Sequence, residues 1–110
     1  MTVLVIRAHK RFAVCRKARL DRGGQRTIDA LLIELSLDGC RVSARGLAGL
    51  AVGDMLEMAV ADAEPLAARV RWLGEGTVGL RFVAPLHVPA LEGLIRLCRG
   101  ESESAAALRA

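Results

Sequence analysis

The chain has 110 residues, 53% of them hydrophobic and only 3% aromatic, and a formal net charge of +4. That length makes one domain and is too short for two, and the apolar share is enough for a core without disulfide or metal staples. No apolar run approaches the roughly 18–20 residues of a membrane helix, and Met1 to Lys10 is too short and too soon charged for a secretory signal. A soluble, cytoplasmic protein without membrane insertion is therefore expected.

Residues 1–11 read as an arm: Val3 to Ile6 are apolar, then the charges begin. Phe12 to Leu20 reads as a strand, with Phe12, Val14 and Ala18 on one face against Arg16, Lys17 and Arg19, and Asp21-Arg22-Gly23-Gly24 is a turn signal. Ile28 to Leu35 is a leucine-rich, partly β-branched run that predicts a well-buried strand. A tight turn leads to a short strand over Gly39 to Ser43, and Arg45 to Gly53, with three glycines, reads as a loop. Asp54 to Ala61 alternates, with Leu56, Met58 and Val60 on one face and Met55, Glu57 and Ala59 on the other.

The clearest hairpin follows. Leu66 to Leu73 places Leu66, Ala68, Val70 and Trp72 on the inner face, Gly74-Glu75-Gly76 turns the chain, and Thr77 to Val83 returns with Val78, Leu80 and Phe82 inward. Pro85 and Pro89 then end the strands. Val88, Leu91, Leu94, Ile95 and Cys98 recur at helical spacing, which predicts an amphipathic helix over about 89–99 ending at Gly100. Residues 101–110 extend it weakly or fray into a flexible tail. The expected architecture is mainly β: a small six-stranded antiparallel β-barrel over 12–100 that includes a C-terminal α-helix.

Charge is distributed unevenly along this plan. Residues 1–26 carry eight Lys/Arg against the single Asp21, and the rest of the chain is net acidic. A local basic segment points to an anionic partner meeting the N-terminal third; the competing explanation is a solvated arginine-rich strand. Cys15, Cys40 and Cys98 are odd in number, widely spaced and without a C-x-x-C pair, so they read as reduced, small core residues rather than as a zinc or redox site.

Two short motifs carry the chemistry. Arg7-Ala8-His9-Lys10-Arg11 puts two guanidinium groups four residues apart in the arm. Glu34-Leu35-Ser36-Leu37-Asp38-Gly39 puts a carboxylate, a hydroxyl and a glycine at the end of an apolar strand. Together with Gly53-Asp54, Arg69-Val70-Arg71-Trp72 and Val78-Gly79-Leu80-Arg81-Phe82, in this order over residues 7 to 99, they resemble the PilZ domain. Its motifs are R-x-x-x-R and D/N-x-S-x-x-G, and this chain has Glu34 where the family has Asp or Asn. The resemblance implies a receptor for cyclic di-GMP that binds on the outer barrel surface, with the arginine arm closing over the ligand. It implies Arg7, Arg11, Glu34, Ser36 and Gly39 as the binding set, with Lys10 and Arg41 as additional candidates, and no cofactor besides that ligand.

The residue chemistry suits a dianionic dinucleotide. The arginine fork bonds phosphate oxygens or the guanine O6/N7 edge, and its face stacks on a purine. A carboxylate at position 34 accepts from guanine N1–H and N2–H, and the extra methylene of Glu34 misplaces that bond at a cost of about 1–3 kcal/mol. Gly39 is expected to supply positive φ and a close backbone approach. The alternative is a degenerate PilZ domain that binds a protein and little or no nucleotide. Nucleic acid is disfavoured as a partner, because Phe12, Trp72 and Phe82 are the only aromatics, with Trp72 and Phe82 read as core. No nucleophile–base, paired-carboxylate or Walker pattern argues for an enzyme; His9 and His87 are the only histidines, and His87 reads as a loop or helix-cap residue. An unidentified protein partner and either a monomer or a homodimer fit a chain whose output must be a surface.

Overall fold

The computed structural model describes residues 10–24, 26–47 and 49–109, with the backbone alone from 100 onward. Six antiparallel strands close into a barrel: β1 (Phe12–Asp21), β2 (Ile28–Leu35), β3 (Gly39–Ala44), β4 (Met55–Ala59), β5 (Leu66–Leu73) and β6 (Thr77–Phe82). Around the barrel the order is β1-β2-β3-β6-β5-β4, with β4 pairing back to β1. A C-terminal helix, α1 (Val88–Arg109), packs against β1. It is not long and apolar enough to cross a membrane.

Period-two alternation decides what fills the barrel. Leu20, Leu32, Leu35, Val42, Met58, Val60, Val70 and Val78 are fully buried, and the helix adds Leu91, Leu94 and Cys98. Each large aliphatic side chain contributes roughly 1.5–3 kcal/mol on burial. The exposed Arg19–Asp29 pair, 3.7 Å apart on paired strands, is worth at most about 1 kcal/mol. The inward rows, and not surface ion pairs, hold the barrel closed. Among the described residues no polar or charged side chain is fully buried.

Three bulges break the simple alternation. In β1 the register shifts between Ala13 and Arg16, in β2 between Leu32 and Glu34, and in β5 between Val70 and Trp72. An extra residue on one strand re-aims the side chains that follow it. In β2 this lets Leu32 and Leu35 both be buried, three residues apart, while Glu34 lies only part-buried between them. In β5 it turns Trp72 outward, so Trp72 is 41% exposed and not in the core as its spacing from Val70 suggests. Phe82 and Val70 are core as expected.

Other expectations need correction. Arg16 is half-buried on the same face as Phe12 and Val14, and Cys15 is exposed rather than core. Val88 is exposed, because the helix buries Leu91, Leu94 and Cys98 instead. The helix does not stop at Gly100 but runs on to Arg109. A glycine inside a helix costs only about 1 kcal/mol against alanine, and Glu-Ser-Glu-Ser-Ala-Ala-Ala-Leu contains no proline to end it. Its start is as predicted: the Ala90 N–H donates to His87 Nδ1 at 3.3 Å, making His87 a cap for the first turn.

The thiols divide by burial. Cys40 lies inside the barrel with its Sγ 3.6 Å from Met58 Sδ, and burial pushes its pKa up to about 12. Burial also raises Cys98, against the opposing pull of Arg16 and Arg99. Brief iodoacetamide treatment of the native protein at mildly alkaline pH is therefore expected to label Cys15 first and Cys40 only after denaturation. Peptide mapping that finds Cys40 labelled in the native state would contradict the packing described.

A candidate nucleotide-binding cleft on the outer barrel surface

The β2–β3 turn is the rigid edge of the site. The Ser36 N–H donates to the Gly39 carbonyl at 2.9 Å. The Ser36 hydroxyl accepts from the Gly39 N–H and donates to the Gly39 carbonyl, both at 3.2 Å. From the far side, the Leu37 and Asp38 carbonyls accept from the N–H groups of Leu86 and Phe82. Gly39 is required here for closeness alone: a Cβ would collide with the Leu80 carbonyl oxygen across β3–β6, while its φ is not in the left-handed region. The positive φ expected of Gly39 is thus not what the turn uses.

Beside this turn, strand register lays out a row of outward positions. Ala13 on β1 pairs with Glu34 on β2, Glu34 with Arg41 on β3, Arg41 with Gly79 on β6, and Gly79 with Trp72 on β5. Neighbouring positions in such a row are about 5 Å apart. The Trp72 indole lies over Gly79, where any Cβ would run into the ring. Arg11 precedes β1 and reaches the same row. Arg11, Glu34, Arg41, Gly79 and Trp72 line an open cleft of about 130 Å³ together with Ser36, Asp38, Gly39, Arg71 and Arg81. That is below the roughly 300–1,000 Å³ of a pocket that encloses a small molecule, so a dinucleotide would sit on this surface rather than inside it.

The cleft is electrostatically pre-paired. Glu34 is 25% exposed and stands between two guanidiniums, with Oε1 3.8 Å from Arg11 Nη1 and Oε2 3.7 Å from Arg41 Nη2. Arg41 Nε is buried and has no hydrogen-bond partner among the described residues. An incoming phosphate would exchange one carboxylate partner for another anion, which lowers its net gain. Arg71 and Arg81 bring further positive charge without a carboxylate partner among the described residues.

Of the residues picked out from the sequence, Arg11, Glu34, Ser36, Gly39 and Arg41 come together in this cleft. Arg7 lies outside the described residues. Lys10 stands apart, with its Nζ 5.2 Å from the centroid of the Phe12 ring, on a separate groove between β1 and the helix that also includes Leu91 and Ile95. Sequence reasoning missed Asp38, Arg71, Trp72, Gly79 and Arg81. For Trp72 the turn length misleads: a three-residue Gly74-Glu75-Gly76 turn sets Trp72 opposite the inward Val78, whereas the hairpin closes on the Gly74 N–H to Thr77 carbonyl bond and sets Trp72 opposite Gly79.

The fold and the cleft define a small closed barrel with a cationic, partly aromatic surface beside its β2–β3 turn. The chain matches the PilZ domain over residues 6–100, and it belongs to the PilZ family. Members of that family are binding modules for cyclic di-GMP rather than enzymes. Among solved structures it is similar to the PilZ domain of CeSA from a cellulose-synthesizing bacterium, with a TM-score of 0.61 and 21% identity, covering 84% of this chain and 98% of that one. No curated protein matches the sequence.

Proposed function

We propose that this protein is a cyclic di-GMP receptor whose ligand lies along the Glu34–Arg41–Gly79–Trp72 row and is closed over by the arginine arm. The observation that carries the reading is the convergence on one row of a carboxylate for a guanine edge, guanidiniums for phosphate, and an open indole face for stacking, in a PilZ-family chain. Ser36 and Gly39 hold the turn; Ser36 already spends its hydroxyl on Gly39, so its part is to set the cleft's edge. Arg11 is exposed and free to swing from Glu34 to a phosphate.

Such a swing has a route to the surface. Two residues beyond Arg11, the Ala13 carbonyl at the β1 bulge accepts from Arg99 of the helix, at 3.1 Å from Nε and 2.6 Å from Nη2. Ligand that repositions the start of β1 pulls on a strand to which the helix is tied, and the changed helix–arm surface is the output read by a protein partner.

Calorimetry with cyclic di-GMP tests the reading. Wild type is expected to bind saturably, and Arg11→Ala to lose about tenfold to hundredfold in affinity, the worth of one charge-assisted contact at about 1.4 kcal/mol per decade. Glu34→Asp, which restores the family's shorter carboxylate, is expected to bind more tightly than wild type. Absence of heat at millimolar ligand would sink the proposal. In that event the second reading stands, a barrel that binds protein only, and the double pairing of Glu34 to Arg11 and Arg41 is the observation in its favour.

A further inference from the structure

Beyond the cleft the outer surface of β5 and β6 remains positively charged. Arg69 and Arg81 face each other directly across the β5–β6 ladder, and Arg69 is in turn opposite Met55 on β4. Like charges in directly opposed positions cost stability. Among the described residues none of Arg69, Arg71 and Arg81 has a carboxylate partner, and Arg69 Nε meets only Met55 Sδ, at 3.4 Å. Met55 and Val83 are large apolar side chains left 48% and 56% exposed on this same sheet. The Val83 N–H bonds to the Ala67 carbonyl, which places Val83 along β5 from Arg69.

We propose that this face is a docking surface for an acidic segment of a protein partner. The two opposed guanidiniums repel each other until carboxylates are placed between them, so the charge pattern itself selects the sign of the partner. Met55 and Val83 favour a polypeptide over a nucleic acid, since arginine and methionine with exposed aliphatic neighbours mark protein interfaces. A nucleic-acid track requires successive stacking platforms, and this face offers none: Phe82 is buried, and Trp72 lies in the cleft. The surface borders the cleft through Arg71 and Arg81, while Arg69, Met55 and Val83 lie outside it. The proposal therefore stands whether or not the cleft holds nucleotide.

The test is an amide-resolved NMR titration of the full chain, without nucleotide, using a synthetic peptide of about a dozen residues, half of them Glu or Asp with interspersed Leu. Saturable shifts are expected at Met55, Arg69, Arg81 and Val83. Arg69→Glu is expected to weaken the peptide about tenfold, from lost attraction plus added repulsion, and to leave cyclic di-GMP calorimetry as in wild type. The proposal is overturned by shifts confined to other surfaces, by no saturable shift at all, or by tighter binding of a single-stranded oligonucleotide of equal charge at near-physiological salt. It is equally overturned if Arg69→Glu weakens cyclic di-GMP as Arg11→Ala does, because the face would then be an extension of the nucleotide site.

Discussion

Gly39→Ala is expected to lower the unfolding free energy by about 2–4 kcal/mol, at the upper end of overpacking costs. The added methyl meets the Leu80 carbonyl oxygen, which is backbone within the β3–β6 ladder and has no flexible end to move aside. Relief requires β3 and β6 to separate, which weakens the pairing of Gly39 with Arg81 and the hydrogen bonds that fasten the Ser36–Gly39 turn. For a domain of this size the melting temperature should fall by at least about 8 °C. Gly93→Ala is the matched control: it lies in the helix with nothing near the new methyl, and should be neutral or stabilising by up to about 1 kcal/mol. Thermal denaturation of both variants is the measurement. A melting temperature for Gly39→Ala within a degree or two of wild type would show that the two strands do not approach as closely as described. The consequence for function is direct, because the same turn forms the cleft's edge: Gly39→Ala should lose ligand binding through its fold before any ligand contact is considered.

That glycine illustrates which parts of the molecule were legible in the sequence. Where alternation is unbroken, as in Met55 to Ala59, strand, face and burial were all readable from residue type; in Thr77 to Phe82 Gly79 departs, buried beneath the Trp72 indole. The spacing of Leu91, Leu94 and Cys98 announced the helix and its buried face equally well. What residue type does not encode is an extra residue in a strand. Ile33 and Arg71 look like ordinary members of their runs, yet each sits where the ladder slips, and each slip aims a cleft residue. The motif at Glu34 to Gly39 was recognisable as a site, but its internal wiring was not. The Ser36–Gly39 bonds are made within the turn itself, but that Gly39 is needed for proximity rather than for φ depends on where β6 lies, some forty residues away in sequence. The helix end is ambiguous for a different reason: a lone glycine reads as a stop signal, although its cost is small beside the helix-forming residues that follow, and of the two expected continuations the chain takes the helical one.

Trp72 is where the corrected register has its largest functional consequence. Trp72→Ala is expected to weaken cyclic di-GMP binding by about tenfold to hundredfold, the 1–3 kcal/mol of one base stacked on an aromatic face. One face of the indole is covered by the Gly79 backbone, which fixes the ring against the sheet and leaves the other face toward the cleft. A platform held in this way loses little side-chain freedom when a base lands on it. Gly79 is consequently part of the same device: Gly79→Ala should tilt the indole out of the row and weaken binding even though residue 79 offers no side chain to the ligand. Trp72→Phe separates stacking from polarity; it keeps a smaller aromatic face and should retain more affinity than Trp72→Ala. The chain has one tryptophan and no tyrosine, so its intrinsic fluorescence reports on this ring alone. Titration of wild type with cyclic di-GMP should change that emission with the same midpoint as calorimetry. If calorimetry shows tight binding while the emission stays constant and Trp72→Ala binds as wild type does, the base does not stack here, and the ligand must instead be held on the Arg11–Glu34–Arg41 side of the row, independently of β5.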